Sequence, residues 1–136
     1  MKSILRNILA VFVGGLLGMA VNIGIIILGS KLIPPPEGIN PMDGESLKNN
    51  IHLFQLKHYL SPFLGHAGGT LTGAFVAAKV SENHHLIFAM VIGVFFLVGG
   101  IAATQMIPAP LWYNVVDLVF CYIPMAWLGW KFSGKS

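Results

Sequence analysis

Charge is what this 136-residue chain has least of: only 10% of its residues are Asp, Glu, Lys or Arg, against 55% hydrophobic ones. A soluble domain carries roughly a quarter charged residues, so 8 Lys+Arg and 5 Asp+Glu are too few to coat a water-soluble fold of this size. The mean hydropathy of +0.75 also excludes intrinsic disorder, which needs low hydrophobicity and high charge. Cysteine is nearly absent too: Cys121 stands alone, which removes a disulfide framework and a Cys-based zinc site. The net charge of +3 invites a nucleic-acid reading, but the cations are scattered singly and form no basic stripe, so no nucleic-acid partner is expected. HExxH, GxSxG, a phosphate loop and a dinucleotide fingerprint are all missing. No metal and no cofactor are expected, and an enzymatic role is disfavoured.

Long apolar runs are what the chain has in abundance. Residues 8–29 are interrupted only by Asn22, and at about 1.5 Å per residue that run exceeds the roughly 30 Å hydrocarbon core of a bilayer. The rival reading is a cleaved signal peptide, from Lys2, Arg6 and Gly18-Met19-Ala20, and the apolar stretch continuing through Leu28 argues against it. Further spans are expected over about residues 59–80, 86–106 and 111–130. The expected fold is all-α, a single integral membrane domain over 1–136 built as a four-helix bundle. Short links at Ser81-Glu82-Asn83-His84 and Pro108-Ala109-Pro110 make consecutive helices antiparallel neighbours. Pro34, Pro35, Pro36 and Pro41 keep much of the loop 30–58 out of helix, and Pro62 and Pro124 read as kinks.

Orientation follows from the cations. Lys2, Arg6, Lys79, Lys131 and Lys135 fall on one side and Lys31, Lys48 and Lys57 on the other. That excess places both termini in the cytoplasm of a multi-pass protein of the inner cell membrane. Trp112 and Tyr113 open the last span and Trp127 and Trp130 close it, as interfacial belts do. In the external loop, Leu47, Ile51, Phe54 and His58 recur at helical spacing, so residues 44–60 are expected to form an amphipathic interfacial helix capped by Asp43 or Ser46. A partner-binding lid is the sharper alternative for the same segment.

Two residue patterns carry the functional argument. Gly65, Gly69, Gly73 and Ala77 recur at every fourth position of the second span, and Ala10, Gly14, Gly18 and Asn22 do so in the first. Such stripes let helices approach closely, within one bundle or against another protomer or subunit. The second pattern is polar. Asp117 is the only acid inside a span, with Asn114 three residues before it and Cys121 four after on the same helical face. With both termini inside, His66, Asn22 and Asp117 all lie in the outer half of the membrane. An outward-facing cluster of His66, Asp117, Asn114 and Asn22 is expected, joined by His58 and Gln105 from above. A His66–Asp117 pair would relay protons, hold a polar headgroup, or pin the second and fourth spans together.

Across nearly the whole chain, these motifs have a known setting. Pro34-Pro35-Pro36-Glu37-Gly38, Pro41-Met42-Asp43, His66-Ala67-Gly68-Gly69-Thr70 running on to Gly73 and Lys79, and Pro108-Ala109-Pro110-Leu111-Trp112 together make the sequence resemble a widespread group of small four-span bacterial membrane proteins that have no assigned activity. The resemblance implies the topology and adds no reaction. The expected function is a structural or accessory subunit, packing in the lipid bilayer through its glycine stripes with itself as a homo-oligomer or with a larger membrane complex. The alternative is a transporter or a small-molecule or lipid-binding protein using the His66/Asp117 cluster. A lipid-active enzyme ranks last, for want of a nucleophile or metal motif.

Overall fold

The first proline of the chain is Pro34. The first helix, α1 (Lys2–Leu32), runs unbroken almost up to it in the computed structural model, which describes residues 1–136. The helix is longer at both ends than the apolar run at 8–29, because hydropathy ends where charge begins while the backbone ladder carries on. Its first turns are fastened to the far end of a second long helix, α3 (Leu60–Val80). Arg6 Nε donates to the Val80 carbonyl at 2.7 Å, and Asn7 donates to Asn83 Oδ1 and accepts from the Glu82 amide, both at 2.9 Å.

Between them in sequence, the expected continuous amphipathic helix is broken. It consists of α2 (Gly44–Asn50) and two 3₁₀ turns, Ile51–Leu53 and Leu56–Tyr59. Asp43 caps α2 by accepting from the Glu45 amide at 3.1 Å, whereas Ser46 Oγ accepts from the Asn40 amide at 3.1 Å. The chain extends at Phe54 and Gln55, where the His58 side chain takes the Gln55 amide at 2.8 Å and replaces the ladder bond a helix would have made.

α3 lies at the centre, against α1, α4 (His85–Met106) and α6 (Ile123–Ser133). It runs antiparallel to α1, and the two glycine stripes face each other. A Cβ on Gly14 would lie 2.6 Å from the Gly73 carbonyl, and one on Gly18 would lie 2.6 Å from that of Gly69. Further along, Gly65 faces Asn22 and Gly29 abuts Ser61. Gly129 of α6 does the same on another side of α3, where a Cβ would lie 2.5 Å from the Leu71 carbonyl. Backbones this close give many weak dispersion contacts, the main attraction left to helices in lipid. Small side chains complete the core: Ala74, Ala77, Ala78, Ala89, Ile92 and Ala126 are essentially inaccessible.

Three stretches are long and apolar enough to cross a membrane: Lys2–Leu32, His85–Met106 and Leu111–Ser133. α3, one of the four spans expected from sequence, is not among them despite its 21 residues. Covered by α1, α4 and α6, it keeps the glycines, threonines and His66 that lower its hydropathy and presents little side chain to lipid. The outer faces of α1 and α4 expose apolar residues such as Ile8, Phe12, Leu16, Val94, Phe95 and Val98, as helices bathed in hydrocarbon do.

The last expected span is also divided. α5 (Leu111–Phe120) and α6 are separated at Cys121 and Tyr122, because Pro124, in the first turn of α6, lacks an N–H and its ring crowds the carbonyl four residues back. Pro124 therefore starts a new helix. Pro62 likewise stands in the first turn of α3, where its missing N–H costs no bond, and bends nothing.

Candidate functional site

Each element ends where it can deliver one polar group to a common point. Pro110 precedes α5, whose second turn carries Asp117 inward to 4% exposure. His66 stands in the second turn of α3, a glycine-rich helix that lets its neighbours close in. The two side chains meet with His66 Nδ1 2.7 Å from Asp117 Oδ1. The second carboxylate oxygen accepts from the Tyr122 hydroxyl at 3.0 Å, and the Tyr122 ring stacks on the imidazole at 6.0 Å between centroids. Gly100 of α4 makes room for that hydroxyl, since a Cβ there would lie 2.6 Å from it. With the carboxylate accepting, the Nδ1 hydrogen is fixed and Nε2 is the free nitrogen of the ring.

The pair borders open space. A cavity of about 180 Å³ has His66, Asp117, Asn114 and Tyr113 at one end and Leu47, Ile51, Phe54 and His58 of the loop at the other. The broken amphipathic segment thus still turns its predicted apolar face inward and roofs this cavity. A second cavity of about 190 Å³ lies on the other side of the imidazole, lined by Asn22, Thr70, Phe96 and Tyr122 among others. His66, Gly100 and Ala103 border both. Toward the chain termini lies the inaccessible core of Ala74, Ala77, Ala78, Ala89, Ile92 and Ala126.

The expected cluster assembles in part. Asn114 borders the first cavity and donates to the Ala109 carbonyl at 3.5 Å. His58 borders it through the loop. Asn22 borders only the second cavity, its buried Oδ1 packed against Gly65 without a hydrogen-bond partner. Gln105 stands apart, exposed on α4 with its amide 3.4 Å from Thr104 Oγ1. Its neighbour Thr104 borders the first cavity in its place. The helix-packing residues Gly14, Gly18, Gly65, Gly69, Gly73 and Ala77 are all used inside the chain, on the α1–α3 contact and the core.

Two tyrosines belong to the site without having been singled out for it. Tyr113 is four residues before Asp117 and shares its face. Its hydroxyl is buried with no hydrogen-bond partner. Tyr122 follows Asp117 by five, which on one continuous helix would point it well away, and only the break after Phe120 turns it back. Cys121 is fully buried and donates weakly to the Phe63 carbonyl at 3.4 Å. No group of three His, Cys, Asp or Glu side chains is placed to hold a metal ion. No family model, curated protein or solved structure matches the sequence, so every role rests on this geometry.

Proposed function

We propose that this protein is a four-span inner-membrane protein that binds a small amphiphile from the outer leaflet, in the cavity between the His66–Asp117 pair and the 30–58 loop. The carrying observation is the cavity itself: a polar end of four side chains beneath a largely apolar wall and roof, the pattern of a ligand pocket. An isolated helix pin needs no such space beside it. A void of about 150 Å³ already accepts a benzene-sized guest, so this one takes a single ring or a short acyl segment, with a longer tail left in lipid. The inaccessible alanine core on the inner side favours binding over passage. The glycine stripes, buried between α1 and α3, leave the accessory-subunit reading little surface of the kind it requires.

Four spans are proposed because α3 matches α1 from end to end, with Val80 beside Arg6 at one end and Ser61 beside Gly29 at the other. The cation count puts the loop outside and both termini in the cytoplasm. An impermeant maleimide added to spheroplasts is expected to label Glu37→Cys at once and Ser136→Cys only after permeabilisation; the reverse pattern inverts the topology.

Binding is tested by filling the space. Ala103 borders both cavities, and Ala103→Phe is expected to lose at least nine-tenths of the small amphiphile that co-purifies with the parent, measured by mass spectrometry of the extracted protein. A parent that carries none above the solubilising detergent, or a variant that carries as much, rules the reading out.

A further inference from the structure

The hydrogen-bonding groups left over in the outer cavity specify the ligand's head, given that the cavity is a binding site. Asp117 already accepts one hydrogen bond on each oxygen, from His66 and from Tyr122. The Ser30 and Thr104 hydroxyls that border the cavity turn back onto the Ile27 and Ile101 carbonyls of their own helices. Two donors remain. The Tyr113 hydroxyl belongs to a residue only 8% exposed and makes no hydrogen bond to the protein. His58 accepts the Gln55 amide through Nδ1, so the neutral ring carries its proton on Nε2 and offers a donor there. A buried donor without an acceptor is costly, and a group that supplies one gains what the fold forgoes.

The charge of the cavity narrows the acceptor. Neither Lys nor Arg borders it, and its one acidic group is Asp117. A carboxylate or phosphate would bring a second negative charge beside that buried one with no cation to offset it. A cation brings donors to a site that already has unused donors. We infer that the outer cavity binds the uncharged carbonyl of an amphiphile, held by Tyr113 at the His66–Asp117 end, with its apolar part toward Phe54, Ile51 and Leu47 of the loop. A carbonyl of this kind comes from two sources in a membrane, the ester of an acylglycerol and the ring of a lipid-soluble quinone.

Three probes with chains of equal length separate the possibilities by calorimetric titration of the detergent-purified protein: monodecanoyl glycerol, a decyl-substituted benzoquinone, and decanoate. At least one neutral carbonyl probe is expected to bind ten times or more tighter than decanoate at a pH where the acid is ionised, and the tighter of the two names the source. Tyr113→Phe is expected to weaken that probe about five- to tenfold, the worth of one neutral hydrogen bond, with an unchanged melting temperature because the hydroxyl has no protein partner to lose. Decanoate binding tightest, or a Tyr113→Phe protein that melts lower yet binds as before, overturns the carbonyl inference while leaving the binding site standing. Binding of all three that survives Ala103→Phe, or binding of none, overturns the site with it.

Discussion

Gly69→Val is expected to melt far below the parent protein. A Cβ at Gly69 would sit 2.6 Å from the Gly18 carbonyl and 2.8 Å from Asn22 Cβ. The first of these is backbone and has no rotamer to escape into, so α1 as a whole must retreat. Overpacking a filled core costs about 1–3 kcal/mol and sometimes more, and here the retreat also opens the neighbouring Gly14–Gly73 and Gly65–Asn22 contacts. Nothing compensates in lipid, where helices associate through packing itself. A loss of roughly 3 kcal/mol corresponds to a fall in melting temperature of about 10 °C for a chain of this size. Gly15→Val is the control: no atom lies within 4 Å of a Cβ there, and its melting temperature should stay within about 2 °C of the parent's. Equal melting of the two variants in size-exclusion thermal scans would show that the stripe is not what holds α1 to α3.

The second large effect separates a site from a pin. Asp117→Ala removes the acceptor of both His66 and Tyr122, each then left with a buried donor, at about 1–3 kcal/mol apiece by soluble-protein measure and nearer 1 kcal/mol within a bilayer. A lowered melting temperature is expected on either account. Asp117→Asn is the sharper change. The amide oxygen can still accept from Tyr122, while its N–H₂ faces His66 Nδ1 and drives the imidazole proton to Nε2. Stability should stay within about 1 kcal/mol of the parent, because both contacts persist in altered form. The free nitrogen, however, changes from acceptor to donor at the border of both cavities, and a carbonyl head, which only accepts, should bind about tenfold tighter, the worth of one added hydrogen bond. If Asp117→Asn proves as destabilising as Asp117→Ala and binds the carbonyl probe no differently from the parent, the carboxylate is a pin.

Much of this is written plainly in the sequence, and the remainder is hidden for identifiable reasons. Spans of α1, α4 and the α5–α6 region are legible because apolar length is a one-dimensional property. α3 reads as a span at about 59–80 in the sequence, yet its glycines, threonines and His66 keep it out of the stretches apolar enough to cross a membrane, because neighbouring helices cover it. The i, i+4 rule brings Asn114, Asp117 and Cys121 to one face, yet the same rule misplaces Tyr122, because the rule assumes the helix that Pro124 interrupts. Tyr113 shares that face but also fits an interfacial belt, and no pattern tells an unpartnered hydroxyl from a wetted one. Gln105 fails for the opposite reason: depth along a helix is readable and azimuth is not, so Thr104 faces the cavity and its neighbour does not.

The facing stripes of α1 and α3 have a consequence for synthesis. Arg6 and Asn7 find their partners at Val80, Glu82 and Asn83, more than seventy residues later. At about 5–20 residues per second of elongation, α1 waits in the bilayer for several seconds after its own completion, with its glycine groove open to lipid. During that interval any finished α3, including that of a second copy, offers the groove its proper counterpart. Exchange of α1 between newly made chains is therefore the misassembly to which this architecture is most exposed, and the clasp of Arg6 and Asn7 is the step that closes the window.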